Sequence, residues 1–498
     1  MTLPVTATGT PTALGAPPLA APLITPHDDP SRPISLLDPS DAVRLELLPR
    51  DFVWGVATAA YQIEGAHDRG GRGPSIWDTF SHTPGRSLHG DTADVACEHY
   101  DRWEADLDLM AELGYPAHRF SFGWSRLQPG GRGPLNPVAV AFYRTLIVGM
   151  HARGITPWVT LYHWDLPQEL EDAGGWPARE TAVAFAEYAA LVVAEFRDLV
   201  TDWITMNEPW CSSFLGYARG AHAPGRTDIG AAVAAGHHLN LAHGLALQRI
   251  RSLDASLQVG ITNLIQEFVP ASESEADRAA ADRTDAACNG FFLDPVFTSR
   301  YSSAVHDVFD EHGLASVIQE GDLELIGAPT DFAGVNHYQR ILVSADPDGG
   351  YLQAVERAAA PADTSFGWSV LPESLSNVLK RVARECTSLP IYVTESGASY
   401  ADYVTPDGEV HDPERVAYFG GYLDAVAQAI EEGVDVRGYF AWSFMDNFEW
   451  AEGYSKRFGL VWVDFATQQR IPKLSGRWYG SLIRAHAALP GNGSLAEG

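Results

Sequence analysis

The sequence predicts a single (β/α)8 TIM barrel with long βα loops walling a deep active-site pocket, and three features carry that prediction. Eight short apolar runs of β type recur along the chain, longer amphipathic stretches stand between them, and no long low-complexity linker interrupts residues from about Leu48 to Leu489. At 498 residues the chain is long enough for one large core. An open doubly wound sheet would need a Gly-rich phosphate turn after an early strand. Gly71-Arg72-Gly73-Pro74 neither follows a strand nor completes that pattern.

Taken in order, the strands are expected at Phe52 to Ala57, Ala117 to Phe122, Thr156 to Leu161, Thr201 to Met206, Gln258 to Asn263, Phe332 to Asn336, Ile391 to Thr394 and Gly438 to Ser443. Helices are expected at Tyr100 to Leu113, Asn136 to Arg153, Arg179 to Phe196, His237 to Ser252 and Pro413 to Glu432. Several open on a Pro or an acidic residue suited to a helix N-terminus. Such a barrel needs about 250 residues, so the roughly 440 spanned here imply long loops on one face. Residues 46–489 are read as the catalytic barrel, 1–45 as a disordered leader and 490–498 as a disordered tail holding the sequon Asn492-Gly493-Ser494.

Composition narrows the function. The net charge of -30, from 64 acidic and 34 basic residues, repels phosphate backbones and anionic lipid, which disfavours nucleic acid and membrane as partners and leaves a small-molecule substrate. The four cysteines, Cys97, Cys211, Cys288 and Cys386, form no C-x-x-C pair, which fits a reducing compartment. The leader is rich in Pro, Ala and Thr and lacks a basic region followed by an apolar stretch, so no signal peptide is recognised and a cytoplasmic location is expected. Seventeen histidines occur, yet there is no His-Glu-x-x-His, and His237, His238 and His243 fall on one expected helix. Neither metal nor organic cofactor is implied.

The chemistry is expected where βα loops converge at the C-terminal ends of the strands. The fourth strand runs into Asn207-Glu208-Pro209 and the seventh into Thr394-Glu395-Ser396. These strands stand on opposite sides of an eight-stranded barrel, so the two glutamates face each other. Glycoside cleavage needs that arrangement: one carboxylic acid protonates the leaving oxygen and a second carboxylate attacks or stabilises the anomeric carbon. The two lie about 5 to 5.5 Å apart for retention and about 6.5 to 9.5 Å for inversion. Sugar sites also join aromatic faces to forked polar groups. Four such clusters fall at expected strand ends: Tyr61-Gln62-Ile63-Glu64, Tyr162-His163-Trp164-Asp165, Asn336-His337-Tyr338 and Asn447-Phe448-Glu449-Trp450.

With those motifs the chain resembles glycoside hydrolase family 1, the β-glucosidase family, from about Leu48 to Leu489. The resemblance also rests on Phe52-Val53-Trp54-Gly55, Ser75-Ile76-Trp77-Asp78, Arg119-Phe120-Ser121 with Trp124-Ser125-Arg126, and Trp442-Ser443-Phe444-Met445-Asp446. It implies a retaining β-glycosidase acting on terminal β-D-glucosyl residues, with Glu395 as nucleophile and Glu208 as acid/base. Gln62, His163, Asn207, Glu449 and Trp450 would hold the glycone and Trp442 would lie beneath it. Arg119, Tyr338 and Asn336 would orient Glu395, Trp368 would face the leaving group, and Trp164 and Phe458 would complete the site. Arg119 and the Tyr338 hydroxyl should keep Glu395 ionised while its charge raises the pKa of Glu208. Ser396 stands where the family usually has Asn, and His337 where Tyr is commoner. Strand alternation turns His337 away from the side used by Asn336 and Tyr338. The rival readings are a 6-phospho-β-glycosidase, with Tyr454 and Lys456 near the phosphate and Glu449 opposing it, and a catalytically silent sugar-binding barrel.

Overall fold

The computed structural model describes residues 42–361 and 363–490. Eight strands, β1 (Val53–Ala57), β2 (Ala117–Ser121), β3 (Thr156–Tyr162), β4 (Asp202–Asn207), β5 (Gln258–Leu264), β6 (Phe332–Asn336), β7 (Ile391–Ser396) and β8 (Val436–Trp442), close into a parallel barrel whose order round the ring is the order in the chain. All eight expected strands are present. Helices α1 (His99–Leu113), α2 (Pro137–Ala152), α3 (Arg179–Phe196), α4 (Ile229–Leu253), α5 (Glu275–Asp285), α6 (Glu373–Arg381), α7 (Pro413–Glu431) and α8 (Leu474–Ala487) are the principal helices following the successive strands.

Helix α4 starts eight residues before its expected beginning at His237. Gly230 and Gly236 weaken the helical pattern of that segment. The Asp228 carboxylate nevertheless accepts the Ala231 N–H at 3.0 Å and caps the helix, and bare Gly236 lets the rings of Phe291 and Phe292 approach. The expected leader needs a correction at its end: Val43 and Leu45 are buried, and Arg44 pairs with Asp424 at 2.9 Å and Glu431 at 2.8 Å on α7. Residues 1–41 of the expected leader and all but the first residue of the expected tail, including Asn492, lie outside the described residues.

Inside the barrel, alternate residues point to the axis. Trp158 of β3 meets Phe332, Phe440 and Tyr392 at ring separations of 5.4, 5.2 and 4.8 Å, and these four aromatics plug the lower half. Gly55 of β1 makes room for the Phe440 ring. Above the plug, the next inward positions are polar: Arg119, Thr160, Thr262, Asn336 and Thr394 are all buried. Irregular register on β4 between Ile204 and Asn207, and on β7 between Val393 and Glu395, breaks the alternation where the two carboxylates emerge. Bulges of this kind re-aim side chains beside active sites. Over the β5 and β6 loops lies a three-stranded sheet of Glu267–Pro270, Arg340–Ala345 and Ala354–Ala358, which walls one side of the barrel mouth.

Candidate active site

Glu395 ends β7 and is 3 % exposed. Arg119, projecting from β2, donates through Nη1 to Glu395 Oε1 at 2.5 Å, and the Tyr338 hydroxyl donates to Oε2 at 2.7 Å. Arg119 is itself fixed by the Thr394 carbonyl at 3.0 Å, Thr160 Oγ1 at 3.3 Å and Asn207 Oδ1 at 2.6 Å. A buried carboxylate with a guanidinium on one oxygen and a phenol on the other has its position and its charge set together. Ser396 turns its hydroxyl to Tyr418 at 2.9 Å.

Glu208 has different company. Asn336 Nδ2 donates to its Oε1 at 2.7 Å and the Cys211 thiol donates to Oε2 at 3.1 Å, with no cation among its hydrogen-bond partners in the described residues. The same Asn336 amide reaches Asn207 Oδ1 at 3.1 Å, while its Oδ1 accepts from Thr394 Oγ1 at 2.8 Å. One polar layer, Arg119-Asn207-Asn336-Thr394, thus serves both carboxyl groups. Burial raises both glutamates, and they divide by what opposes it. Arg119 and Tyr338 hold Glu395 down, whereas the charge of Glu395 pushes Glu208 further up.

The remaining predicted residues gather round this pair. Asn207 Nδ2 donates to His163 Nε2 at 3.0 Å, which leaves the His163 proton on Nδ1, and burial keeps that ring neutral. The His163 ring stacks with Trp442 at 5.9 Å, and Trp164 meets Trp450 at 4.6 Å. Glu449 is half-buried next to Trp450, and desolvation with the charges of Glu395 and Glu208 brings its carboxyl up to about 8. Gln62 donates to Asn447 Oδ1 at 3.0 Å and the Phe448 carbonyl at 2.9 Å, and its Oε1 has no partner among the described residues. Trp164, Glu208 and Trp450 each adopt a left-handed backbone, φ +74°, +47° and +51°, a conformation non-glycine residues hold only when their surroundings enforce it. His337 points away from the site, bonded to the Ile265 carbonyl and Ser374 Oγ at 2.7 Å each.

A cavity of about 260 Å³ opens above these groups. His163, Trp164, Glu208, Tyr338, Trp368, Glu395, Trp442, Glu449, Trp450 and Phe458 line it, while Gln62, Asn207, Arg119 and Asn336 are buried and do not. Trp368 packs on Phe366 at 4.4 Å and Phe458 at 6.0 Å. Sequence reasoning missed a second wall, which includes Trp210, Cys211, Arg219, Gln266 and Glu356. Only Trp210, following Asn-Glu-Pro directly, carried a signal that could have revealed it.

The sequence model of glycosyl hydrolase family 1 matches residues 45–488. The chain belongs to glycosyl hydrolase family 1. Beta-glucosidase A of Thermotoga maritima is 43% identical over 89% of this chain and 99% of its own length. The crystal structure of the psychrophilic beta-glucosidase of Micrococcus antarcticus is 46% identical, with a TM-score of 0.86, covering 88% of this chain and 98% of that one. The Thermotoga maritima enzyme complexed with a cyclophellitol analogue, a transition-state mimic, superimposes with a TM-score of 0.85 at 43% identity over 88% of this chain and 98% of that one. The barrel mouth of this glycoside hydrolase holds the pocket lined by Glu208 and Glu395.

Proposed function

We propose that this β-glucosidase removes terminal, non-reducing β-D-glucosyl residues by double displacement, with Glu395 as nucleophile and Glu208 as acid and then base. The contrast in bonding carries the reading: Glu395 is held by a cation and a phenol, while Glu208 accepts from an amide and a thiol. A Glu395 oxygen forms a bond to the anomeric carbon as the glycosidic bond breaks, and the leaving oxygen takes the Glu208 proton. The covalent glycosyl ester carries no charge, so the repulsion that raised Glu208 is gone and its pKa falls. It then takes a proton from water as that water attacks the anomeric carbon. Glu395 leaves as the free carboxylate, and the sugar departs with its configuration retained.

In this reading the His163 Nδ1–H, the free Gln62 Oε1 and the Glu449 carboxyl take glycone hydroxyls, and Trp442 packs beneath the ring. Trp368 and Phe458 lie beside the leaving group. A 6-phosphate beside Glu449 would bring further negative charge towards the carboxyl groups of Glu395 and Glu208. Lys456, the cation a phospho-glycosidase would use there, is committed to the Ser365 carbonyl at 2.8 Å. Cello-oligosaccharides are the expected natural class. No helix among the described residues is long and apolar enough to cross a membrane. The four unpaired cysteines support a reducing, cytoplasmic location. Glu208→Gln tests the acid/base role. It should retain kcat/KM, which reports the first step, on aryl glucosides whose leaving group needs no proton, and lose about a hundredfold or more in kcat/KM on cellobiose. Equal losses on both substrates would contradict the assignment.

A further inference from the structure

The glycone residues come from β1, β3 and β8, whereas the second wall of the cavity comes from the loops after β4, β5 and β6, across the ring. Glu208, which protonates the leaving oxygen, ends β4, so that wall belongs to the aglycone. The chain leaves Glu208 through Trp210, follows a π-helix from Cys211 to Ala218, and returns at Arg219. The Arg219 guanidinium lies over the Trp210 ring at 5.2 Å and donates to Glu356 Oε1 at 3.0 Å. Glu356 projects from the Ala354–Ala358 strand of the loop sheet. With side chains 38% and 30% exposed, against 4% for Glu208 and 3% for Glu395, the pair lines the more open part of the same cavity.

An ion pair in this place has a defined chemical use. Each sugar hydroxyl both donates and accepts, so neighbouring hydroxyls can bridge a guanidinium and a carboxylate, giving hydrogen bonds to charged groups on both sides. The amide of Gln266, on the same wall, adds a further donor and acceptor. A flat aryl aglycone has no groups to satisfy these charges and would leave them to water. From this geometry we infer that Arg219 and Glu356 form a distal aglycone subsite for the third sugar of a β-glucan chain, beyond the ring that adjoins Glu208. The inference rests on the β-glucosidase reading and names the substrate class within it: oligosaccharides of three or more units rather than aryl glucosides.

The experiment compares kcat/KM for cellobiose, cellotriose and 4-nitrophenyl β-glucoside in the wild type, Glu356→Ala and Arg219→Ala. The wild type should prefer cellotriose over cellobiose. Each variant should lose about tenfold on cellotriose, the value of one charged hydrogen bond, with less than twofold change on the other two substrates. Wild-type protein active on the aryl glucoside but indifferent to chain length would overturn the distal subsite alone. So would variants whose losses are equal on all three substrates. Wild-type protein silent on the aryl glucoside and on both oligosaccharides would overturn the glucosidase reading, and this inference with it.

Discussion

Replacing Tyr338 with Phe removes one oxygen from the site and little else. The ring keeps its contacts with Trp368 at 5.4 Å and Phe458 at 6.3 Å, while the 2.7 Å hydrogen bond to Glu395 Oε2 disappears. That bond goes to the ionised form of a buried carboxyl, so its loss disfavours ionisation and moves the Glu395 pKa up. A hydrogen bond to a charged group contributes about 1.5 to 3 kcal/mol, and about 1.4 kcal/mol corresponds to one pH unit. The acid limb of kcat/KM, where Glu395 must lose its proton to become a nucleophile, should therefore rise by about one to two pH units. Arg119 remains on the other oxygen at 2.5 Å, so the variant stays active. The assay is kcat/KM for 4-nitrophenyl β-glucoside from about pH 4 to 9, with the wild type alongside. An acid limb that stays in place, or moves down, would refute the claim that Tyr338 helps hold the nucleophile ionised.

Two further outcomes follow from buried charge. Lys473, fully buried, donates to Asp402 at 2.5 Å and Asp446 at 2.7 Å, joining the loop after β7 to the loop that carries Asn447, Glu449 and Trp450. Lys473→Met should destabilise the fold by about 3 to 5 kcal/mol in urea unfolding, because it leaves buried carboxylates short of a partner; a loss under about 1 kcal/mol would contradict this. Burial alone would raise Asp322, but Arg179, the Gln319 amide and His237 outweigh it and hold the carboxyl at about 2. This depressed pKa contributes about 2 kcal/mol that is present above about pH 4 and lost as the pH falls through about 2. Asp322→Asn should thus be less stable near neutrality and converge with the wild type in acid. A stability gap independent of pH would contradict it.

The barrel was legible because its determinants are local. Each strand is a short apolar run, and the carboxylates of Glu208 and Glu395 follow such runs directly, so chain order placed them on opposite sides of the ring. The alternation argument likewise turned His337 away from the pocket. Other features depend on distant partners. Nothing local to Gly230 or Gly236 reports that Phe291 and Phe292 pack against α4, so its first two turns were not expected. The wall with Arg219 and Glu356 joins a π-helix after β4 to an edge strand after β6, residues 137 apart in the chain, and neither carries a periodic pattern. The bonding contrast between the two glutamates also required coordinates, since the Cys211 thiol on Glu208 has no signature beyond its place near Asn-Glu-Pro.

The central claim is that Glu395 bonds to the sugar. Its most direct test is Glu395→Gly with 4-nitrophenyl β-glucoside, with and without azide, the product's anomeric configuration being read by NMR. The variant should be almost inactive alone, and azide should restore turnover and yield the α-glucosyl azide, because the anion enters the space the carboxylate vacated on the α face. A β-glucosyl azide, or a Glu395→Gly enzyme that turns over without azide at the wild-type rate, would contradict the assignment of Glu395 as the nucleophile.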